Sequence, residues 1–265
     1  MRRGGATRSR RWPWVVAAAT AAAVVLFAWG GGDGPAAPWE RTAALVTADA
    51  TFLLQVPTLS AGLELLAAAR EETPALDRGL SAARDLLGHE LLDPDTWRGL
   101  GLDLDGSVSV ALVPAPPLAG VLVVSLPIHR GTPVIEAAPL LFARVPAEER
   151  PRMEQTGELG TTLGRVRTGG RLRGILVEWE DRILVALPLG PGDVEAGLDG
   201  WVDRTGDLDG VRLLSRPGVR DALRAGRNTP LLMLCMEEAD APPCVRTPED
   251  PVAEISAMLE LLLGI

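Results

Sequence analysis

From Trp12 to Trp29 the chain carries an apolar run long enough to cross a bilayer. It reads WPWVVAAATAAAVVLFAW, in which Thr20 is the only polar side chain. A helix of this length rises about 27 Å, close to the roughly 30 Å of a hydrocarbon core. Trp12, Trp14 and Trp29 bracket the run, as aromatic residues do at membrane interfaces. We therefore predict one transmembrane anchor at 12–29. A cleaved signal peptide and a buried helix of a soluble protein are the alternatives.

The charges around this run predict its orientation. The basic residues before it are Arg2, Arg3, Arg8, Arg10 and Arg11, and none lies between 12 and 40. By the positive-inside rule, residues 1–11 form a cytoplasmic basic tail. Residues 30–38, GGGDGPAAP, then read as a Gly/Pro linker. We expect the chain to cross a bacterial inner membrane once. Residues 39–265 would then form a periplasmic or other extracytoplasmic domain.

Composition limits the partners of this domain. All 26 cationic residues are arginine, a bias that a GC-rich bacterial genome produces through its codons. The formal net charge is −9, whereas a general nucleic-acid binder needs a basic footprint. We therefore expect no nucleic acid among the partners. The expected contacts are the membrane, through 12–29, and an unidentified envelope protein or ligand.

The residues after the linker predict an α+β fold with a largely antiparallel sheet and flanking helices. The clearest signal is Thr161–Leu187, where Gly169-Gly170 and Glu180-Asp181 separate three short β-type runs as two-residue turns do. Further strands are predicted at Thr51–Val56, Ser107–Val113, Val121–Leu126 and Leu231–Met236. The third is predicted to be central because it is apolar except for Ser125.

Apolar spacing and capping residues predict the helices. They are expected at Ser60–Glu72, from Thr73 and Pro74 to Gly88, within 131–150 as a short or broken helix, from Asp193 onward, at Pro217–Ala225 and at Pro251–Leu263. Asp93-Pro94-Asp95 is predicted as a loop, and Ala115–Leu118, with its two prolines, as a turn.

A weak internal echo suggests a duplicated unit. ADATFLLQVPTL precedes an apolar helix near the start of the domain, and RNTPLLMLCMEEA precedes a loop and an apolar helix near the end. One interpretation is a second repeat, cut short, that begins at about residue 228. The other is coincidence between two strand–helix pairs.

Two segments resemble a family of exported bacterial proteins classed as domain of unknown function number 3352. They are Val46–Ala50 with Val56–Leu59 after the first strand, and LSRPGVRDAL, starting at Leu214, before the Leu231–Met236 strand. The resemblance implies an envelope location. It implies no catalytic residues, because none are established for that family.

The two cysteines, Cys235 and Cys244, are candidates for a disulfide bond. In an exported domain they lie in an oxidising compartment, where a structural disulfide is the default. Redox chemistry is the alternative, although their spacing is not the Cys-x-x-Cys of disulfide oxidoreductases.

Four arginines surround the Gly169-Gly170 turn and form a candidate anion or acidic-partner patch: Arg165, Arg167, Arg171 and Arg173. A two-residue turn predicts that Arg167 pairs with Leu172 and Val166 with Arg173, which divides the four between the two faces of the hairpin. The alternative to a binding patch is solvated charge, or pairing with Glu178 and Glu180.

No catalytic, cofactor or metal site is predicted from motifs. His89-Glu90-Leu91-Leu92-Asp93 has the outline of a zinc-peptidase helix, but Gly88 and Pro94 flank it. The Asp-x-Asp-Gly segments at 103 and 207 lack the later Glu of a calcium loop, and Glu237, Glu238 and Asp240 are expected on a solvated loop. The leading hypothesis is a membrane-anchored, non-enzymatic binding or assembly module. The alternative is an exported hydrolase-like enzyme whose site, including His89 or His129, is not visible as a motif.

Overall fold

A nine-stranded antiparallel sheet with helices on both faces forms the domain. The computed structural model describes residues 46–47, 49–129, 134–158, 161–179, 181–206, 213–226, 229–236 and 241–263. Within these residues the predicted α+β class and the antiparallel character of the sheet are confirmed.

The strands and helices alternate in groups along the chain. The strands are β1 Phe52–Val56, β2 Val108–Val113, β3 Gly120–Pro127, β4 Arg152–Glu158, β5 Thr161–Thr168, β6 Arg171–Trp179, β7 Arg182–Leu189, β8 Leu232–Cys235 and β9 Cys244–Arg246. The helices are α1 Leu59–Glu72, α2 Pro74–Leu87, α3 Pro94–Gly99, α4 Val134–Leu141, α5 Val194–Gly206, α6 Val219–Gly226 and α7 Pro251–Leu263, with a short 3₁₀ turn at Leu213–Ser215.

The order of strands across the sheet is β4-β5-β6-β7-β3-β2-β1-β8-β9. Each neighbouring pair is antiparallel. The first strand of the domain therefore lies inside the sheet, between β2 and β8. The two edges are β4 and β9, and neither was predicted as a strand.

Alternate side chains of the strands pack into two separate hydrophobic cores, one on each face of the sheet. Leu54 packs under α1 and α2, while its neighbour Leu53 packs on the opposite face, under α5 and α6. The same alternation explains why β3 is apolar except for Ser125, since all eight of its residues are buried. The prediction of a central strand at Val121–Leu126 is confirmed.

The meander β5–β6–β7 follows the predicted turns. Gly169 and Gly170 have φ values of 57° and 77°, a backbone that glycine adopts without steric cost. The predicted helix from Asp193 is also confirmed, because Leu198 and Trp201 of α5 are fully buried against the sheet. The Asp193 carboxylate accepts a hydrogen bond from Ala196 N at 3.1 Å and so caps that helix.

Local capping chemistry places the other helices. The Thr58 hydroxyl accepts from Ala61 N at 3.3 Å at the start of α1, and Gly88, with φ of 74°, ends α2 as predicted. The loop prediction for Asp93-Pro94-Asp95 is wrong. Asp93 caps α3 by accepting from Asp95 N at 3.0 Å, and Pro94 occupies the first helical position, where its missing N–H costs nothing.

The predicted membrane segment lies outside the described residues, as do the basic tail 1–11 and the linker 30–38. Among the helices that are described, none is both long and apolar enough to span a bilayer. The anchor at 12–29 and the location that depends on it stay predictions.

The two strands of the predicted repeat are neighbours in the sheet. β1 and β8 pair antiparallel, with Leu54 opposite Met233, and the helices that follow them along the chain, α1 and α7, pack together. Ile255 of α7 enters the same core as α1. The two strand–helix units thus share one region of the fold, and their origin by duplication stays a prediction.

Candidate functional site

Two arginines of the predicted patch are paired with carboxylates of helix α5. Arg165 Nη1 donates to Asp199 at 2.6 Å, and Arg167 Nη1 donates to Glu195. Arg167 also donates through Nε to Glu154 on the edge strand β4, at 3.1 Å. These contacts arise because alternate residues of β5 direct both arginines to the face of the sheet that α5 covers.

These contacts stabilise the charged form of Arg167. Its hydrogen bonds to Glu195, and then to Glu154, raise the pKa of its guanidinium above the ordinary value. Both carboxylates are more than half exposed, so solvent screens the interaction. A bound anion would have to displace these carboxylates before it could use Arg167. Whether the patch binds an anion or a partner stays a prediction.

The pairing of residues across the Gly169-Gly170 turn differs from the prediction at one position. Arg167 does pair with Leu172, but Val166 pairs with Gly174 and not with Arg173. A β-bulge inserts Arg173 as an extra residue, so the simple alternation of faces does not extend to it. Arg171 is exposed beside the turn, opposite Thr168. The Glu178 carboxylate accepts from the backbone N of Ile135 at 3.3 Å, and Glu180 lies outside the described residues.

The two cysteines lie directly opposite each other on β8 and β9. Cys235 is half-buried and Cys244 is exposed, and both are thiols in the structure. The predicted disulfide is therefore not shown, although its partners face each other. It stays a prediction.

The hydrogen-bond pattern of β8 defines the kind of pair that the cysteines form. The backbone N of Met236 donates to the carbonyl of Thr51 at 2.9 Å, toward β1. Because successive residues of a strand direct their polar groups to opposite sides, Cys235 directs its N–H and C=O toward β9. Cys235 and Cys244 are therefore a hydrogen-bonded pair of the ladder.

The same alternation leaves the backbone of Val245 facing away from the sheet. Val245 pairs with Leu234, next to the cysteine pair, and so occupies a non-hydrogen-bonded position. Its N–H and C=O face the outer side of β9, the edge of the sheet. Its side chain is 46% exposed, which makes it the one exposed large hydrophobic residue among those whose side chains the structure describes.

An open depression of about 530 Å³ adjoins this edge, at the start of α7. Its lining is mostly acidic and polar: Arg246, Thr247, Pro248, Glu249, Asp250, Ala253 and Glu254. Asp250 caps α7 by accepting from Val252 N and Ala253 N, each at 3.1 Å. Arg246 pairs with Glu254 at 3.6 Å, so β9 is also fastened to the helix that follows it.

A buried polar row on the face of the sheet under α5 and α6 was not predicted from the sequence. Gln55, Ser109 and Ser125 are opposite one another on β1, β2 and β3, and each is at most 1% exposed. Beside this row the buried Arg182 of β7, opposite Pro127, donates to Ser107. The available signal was a single polar residue inside each apolar run.

The histidines and acidic segments do not converge in the described structure. His89 is half-buried beyond the end of α2, outside any helix, and His129 is exposed. Asp103 accepts from Asp105 N at 3.1 Å, a turn contact. In the part of the chain that the structure describes, no three His, Cys, Asp or Glu side chains are grouped as metal ligands would be. The acidic segments 207–210 and 237–240 lie outside it.

Comparisons with protein-family models, with curated proteins and with solved structures gave no match to this chain. The resemblance to domain of unknown function number 3352 therefore stays a prediction.

Proposed function

We propose that this protein is a single-pass bacterial inner-membrane protein whose exported α+β domain binds another envelope protein as an assembly module. The apolar run at 12–29 and the arginines before it support the anchor and its orientation. In this proposal the partner adds an extended segment to the outer side of β9. The domain itself performs no chemistry on that partner.

The observation that carries the proposal is the outward-facing backbone of Val245. Helices cover both faces of the sheet, so the strand edges are the places where another main chain can pair. An extended segment beside β9 gains hydrogen bonds from the Val245 N–H and C=O, and apolar contact from its exposed side chain. The acidic lining of the adjoining depression favours a segment that also carries a basic side chain.

The other edge of the sheet is less suited to strand addition. β4 exposes two charged side chains of opposite sign, Arg152 and Glu154, whereas the one charged side chain of β9, Arg246, is held by Glu254. Charged residues on edge strands oppose pairing with another chain. Thr156 on the same strand is exposed as well. It provides a matched control position.

Site-specific photo-crosslinking in cells tests the binding edge. A photoreactive side chain at the exposed Thr247, next to β9, is expected to capture an envelope protein, and one at Thr156 is not. Val245→Pro should abolish capture from position 247, because proline removes the outward N–H without removing a β8–β9 hydrogen bond. Val245→Thr keeps the N–H and should preserve capture. Equal capture from both positions, or capture that survives Val245→Pro, would contradict the proposal.

Membrane extraction tests the anchor separately. After alkaline carbonate washing, the full-length protein should stay in the membrane pellet, because the run at 12–29 is held by the hydrocarbon core. Replacing Ala22 and Val24 in this run by aspartate should release it. Quantitative release of the unaltered protein would contradict the predicted anchor at 12–29. It would not bear on the binding edge, which the crosslinking tests separately.

A further inference from the structure

Cys235 and Cys244 occupy positions from which a bond between their sulfurs is within reach. They are directly opposite on antiparallel strands and form a hydrogen-bonded pair. Such a pair has Cα atoms about 5.5 Å apart, inside the roughly 4.4–6.8 Å found for disulfides. Directly opposite side chains also lie on the same face of the sheet. Both thiols therefore point to the same side of β8 and β9.

At the usual separation of opposite Cβ atoms, the disulfide bond can form only if the two strands move closer together. Opposite Cβ atoms lie about 4.5–5.5 Å apart, and hydrogen-bonded pairs fall at the wider end of that range. A disulfide holds them at about 3.5–4.5 Å, so β9 has to move toward β8 when the bond forms. β9 can move in this way because it has three residues, all exposed, and lies at the edge of the sheet.

The two sulfurs differ in access to solvent. Cys244 is exposed, while Cys235 is half-buried beside Phe52, its neighbour across the β1–β8 pair. A dissolved thiol or disulfide therefore meets Cys244 first. Disulfides that are exposed or distorted exchange more readily with dissolved thiols than relaxed, buried ones do.

We propose that Cys235 and Cys244 form a reversible thiol–disulfide site that locks the edge strand β9 onto β8. The oxidant is a small-molecule or protein disulfide. The Cys244 thiol loses its proton and attacks one sulfur of that disulfide, whose S–S bond breaks and releases one thiolate. The Cys235 thiolate then attacks the sulfur of Cys244, forms the Cys235–Cys244 bond and releases the second thiolate. The two cysteines lose two electrons and two protons, and the oxidant becomes two thiols.

Oxidation fixes β9 at one end, while the ion pair of Arg246 with Glu254 holds the other end against α7. In the reduced state β9 is held by its three register pairs with β8 and by this ion pair. The site thus controls how firmly the edge is held. It does not depend on the partner proposed above, so the two ideas fail separately.

Equilibration of the full-length protein with reduced and oxidised glutathione tests this proposal, with acid trapping and intact-mass analysis. The oxidised product is expected to lose the mass of two hydrogen atoms and to carry no glutathione. It should revert with dithiothreitol under native conditions. Cys235→Ser should accumulate one glutathione on Cys244, because no second thiol resolves the mixed disulfide. Cys244→Ser should react little, because Cys235 is half-buried.

Three outcomes would overturn the proposal. They are glutathione retained on the unaltered protein, a disulfide between two chains, and a bond that is reduced only after denaturation. The last result would indicate a static staple and not a reversible site. The two serine variants should give the same circular dichroism spectrum as the unaltered protein. This result would exclude misfolding as the reason for any change in reactivity.

Discussion

Arg182 on β7 donates two hydrogen bonds to Ser107, a residue 75 positions earlier in the chain, and both residues are buried. One bond is made to the backbone carbonyl and the other to the hydroxyl, at 3.0 Å for Nη2 and Oγ. A buried guanidinium is tolerated only where such acceptors replace water. The contact joins β7 to the residue that precedes β2, on the face covered by α5 and α6.

Removal of this guanidinium is expected to destabilise the domain strongly. Arg182→Ala should lower the free energy of unfolding by about 2–4 kcal/mol, because it deletes two charge-assisted hydrogen bonds inside the core. Arg171→Ala is the control, since Arg171 is exposed, and should change it by less than about 0.5 kcal/mol. Urea denaturation measures both. Equal effects of the two substitutions would contradict the structural role of Arg182.

The contribution of Arg167 to the stability of the folded domain should be constant over most of the pH range. Its folded-state pKa is raised, so the stability it provides is fully present below the unfolded-state pKa and is lost only as the pH rises through the folded value. The difference in urea midpoint between the unaltered protein and Arg167→Met should thus be the same at about pH 7 and about pH 10. Arg167→Lys is the matched control, because lysine ionises near pH 10.4. The urea midpoint of Arg167→Lys should fall further below that of the unaltered protein at about pH 10 than at about pH 7. The same change with pH for Arg167→Met would show that Arg167 itself loses its proton in this range.

Three glycine substitutions should have three different effects. At Gly170 an added Cβ meets no atom within 4 Å, but φ is +77°. Gly170→Ala should therefore cost about 1–2 kcal/mol through backbone strain alone. Gly200, within α5, also has open space around it, and Gly200→Ala should stabilise the helix by about 0.5–1 kcal/mol. Gly197→Ala would bring Cβ to 2.5 Å from Leu118 Cδ1, and this overpacking should cost about 1–3 kcal/mol. Urea denaturation of the three variants in one buffer would show whether their order matches.

Oxidation of the cysteine pair should also be measurable as stability. A disulfide closing a loop of this length contributes about 2–3 kcal/mol by restricting the unfolded chain. The observed gain should be smaller, because β9 must shift to bring Cys235 and Cys244 together. The denaturation midpoint of the oxidised protein should fall when reductant is added, and that of Cys244→Ser should not. An unchanged midpoint in the unaltered protein would show that the bond does not restrain the unfolded chain.

Segments that bury apolar side chains were predictable because burial imposes a periodicity on the sequence. The runs around Gly169-Gly170 gave the meander, since the turn chemistry and the alternation agree. Helix α7 begins and ends at Pro251 and Leu263, as its apolar spacing predicts. The predicted Pro217–Ala225 helix begins two residues later, at Val219, and includes Gly226.

Segments that bury little were not predictable in this way. β4 reads RMEQTGE and contributes Met153 to a core only in part, so no alternating pattern marks it. β9 has three exposed residues, and its pairing with β8 is a tertiary event. The bulge at Arg173 depends on how two strands adjust their twist. The outward backbone of Val245 follows from this pairing, so the candidate edge itself could not be derived from the sequence.

The position of β1 between β2 and β8 has a consequence for the order of folding. The guanidinium of Arg216 reaches the carbonyl of Ala50 across 166 residues, close to the β1–β8 pair. During synthesis β1 is made before its second neighbour β8, and strands β2 to β7 are made between them. Closing so long a loop is entropically costly and slows folding. Until β8 arrives, the apolar strand FLLQV is expected to be the segment through which newly made chains aggregate.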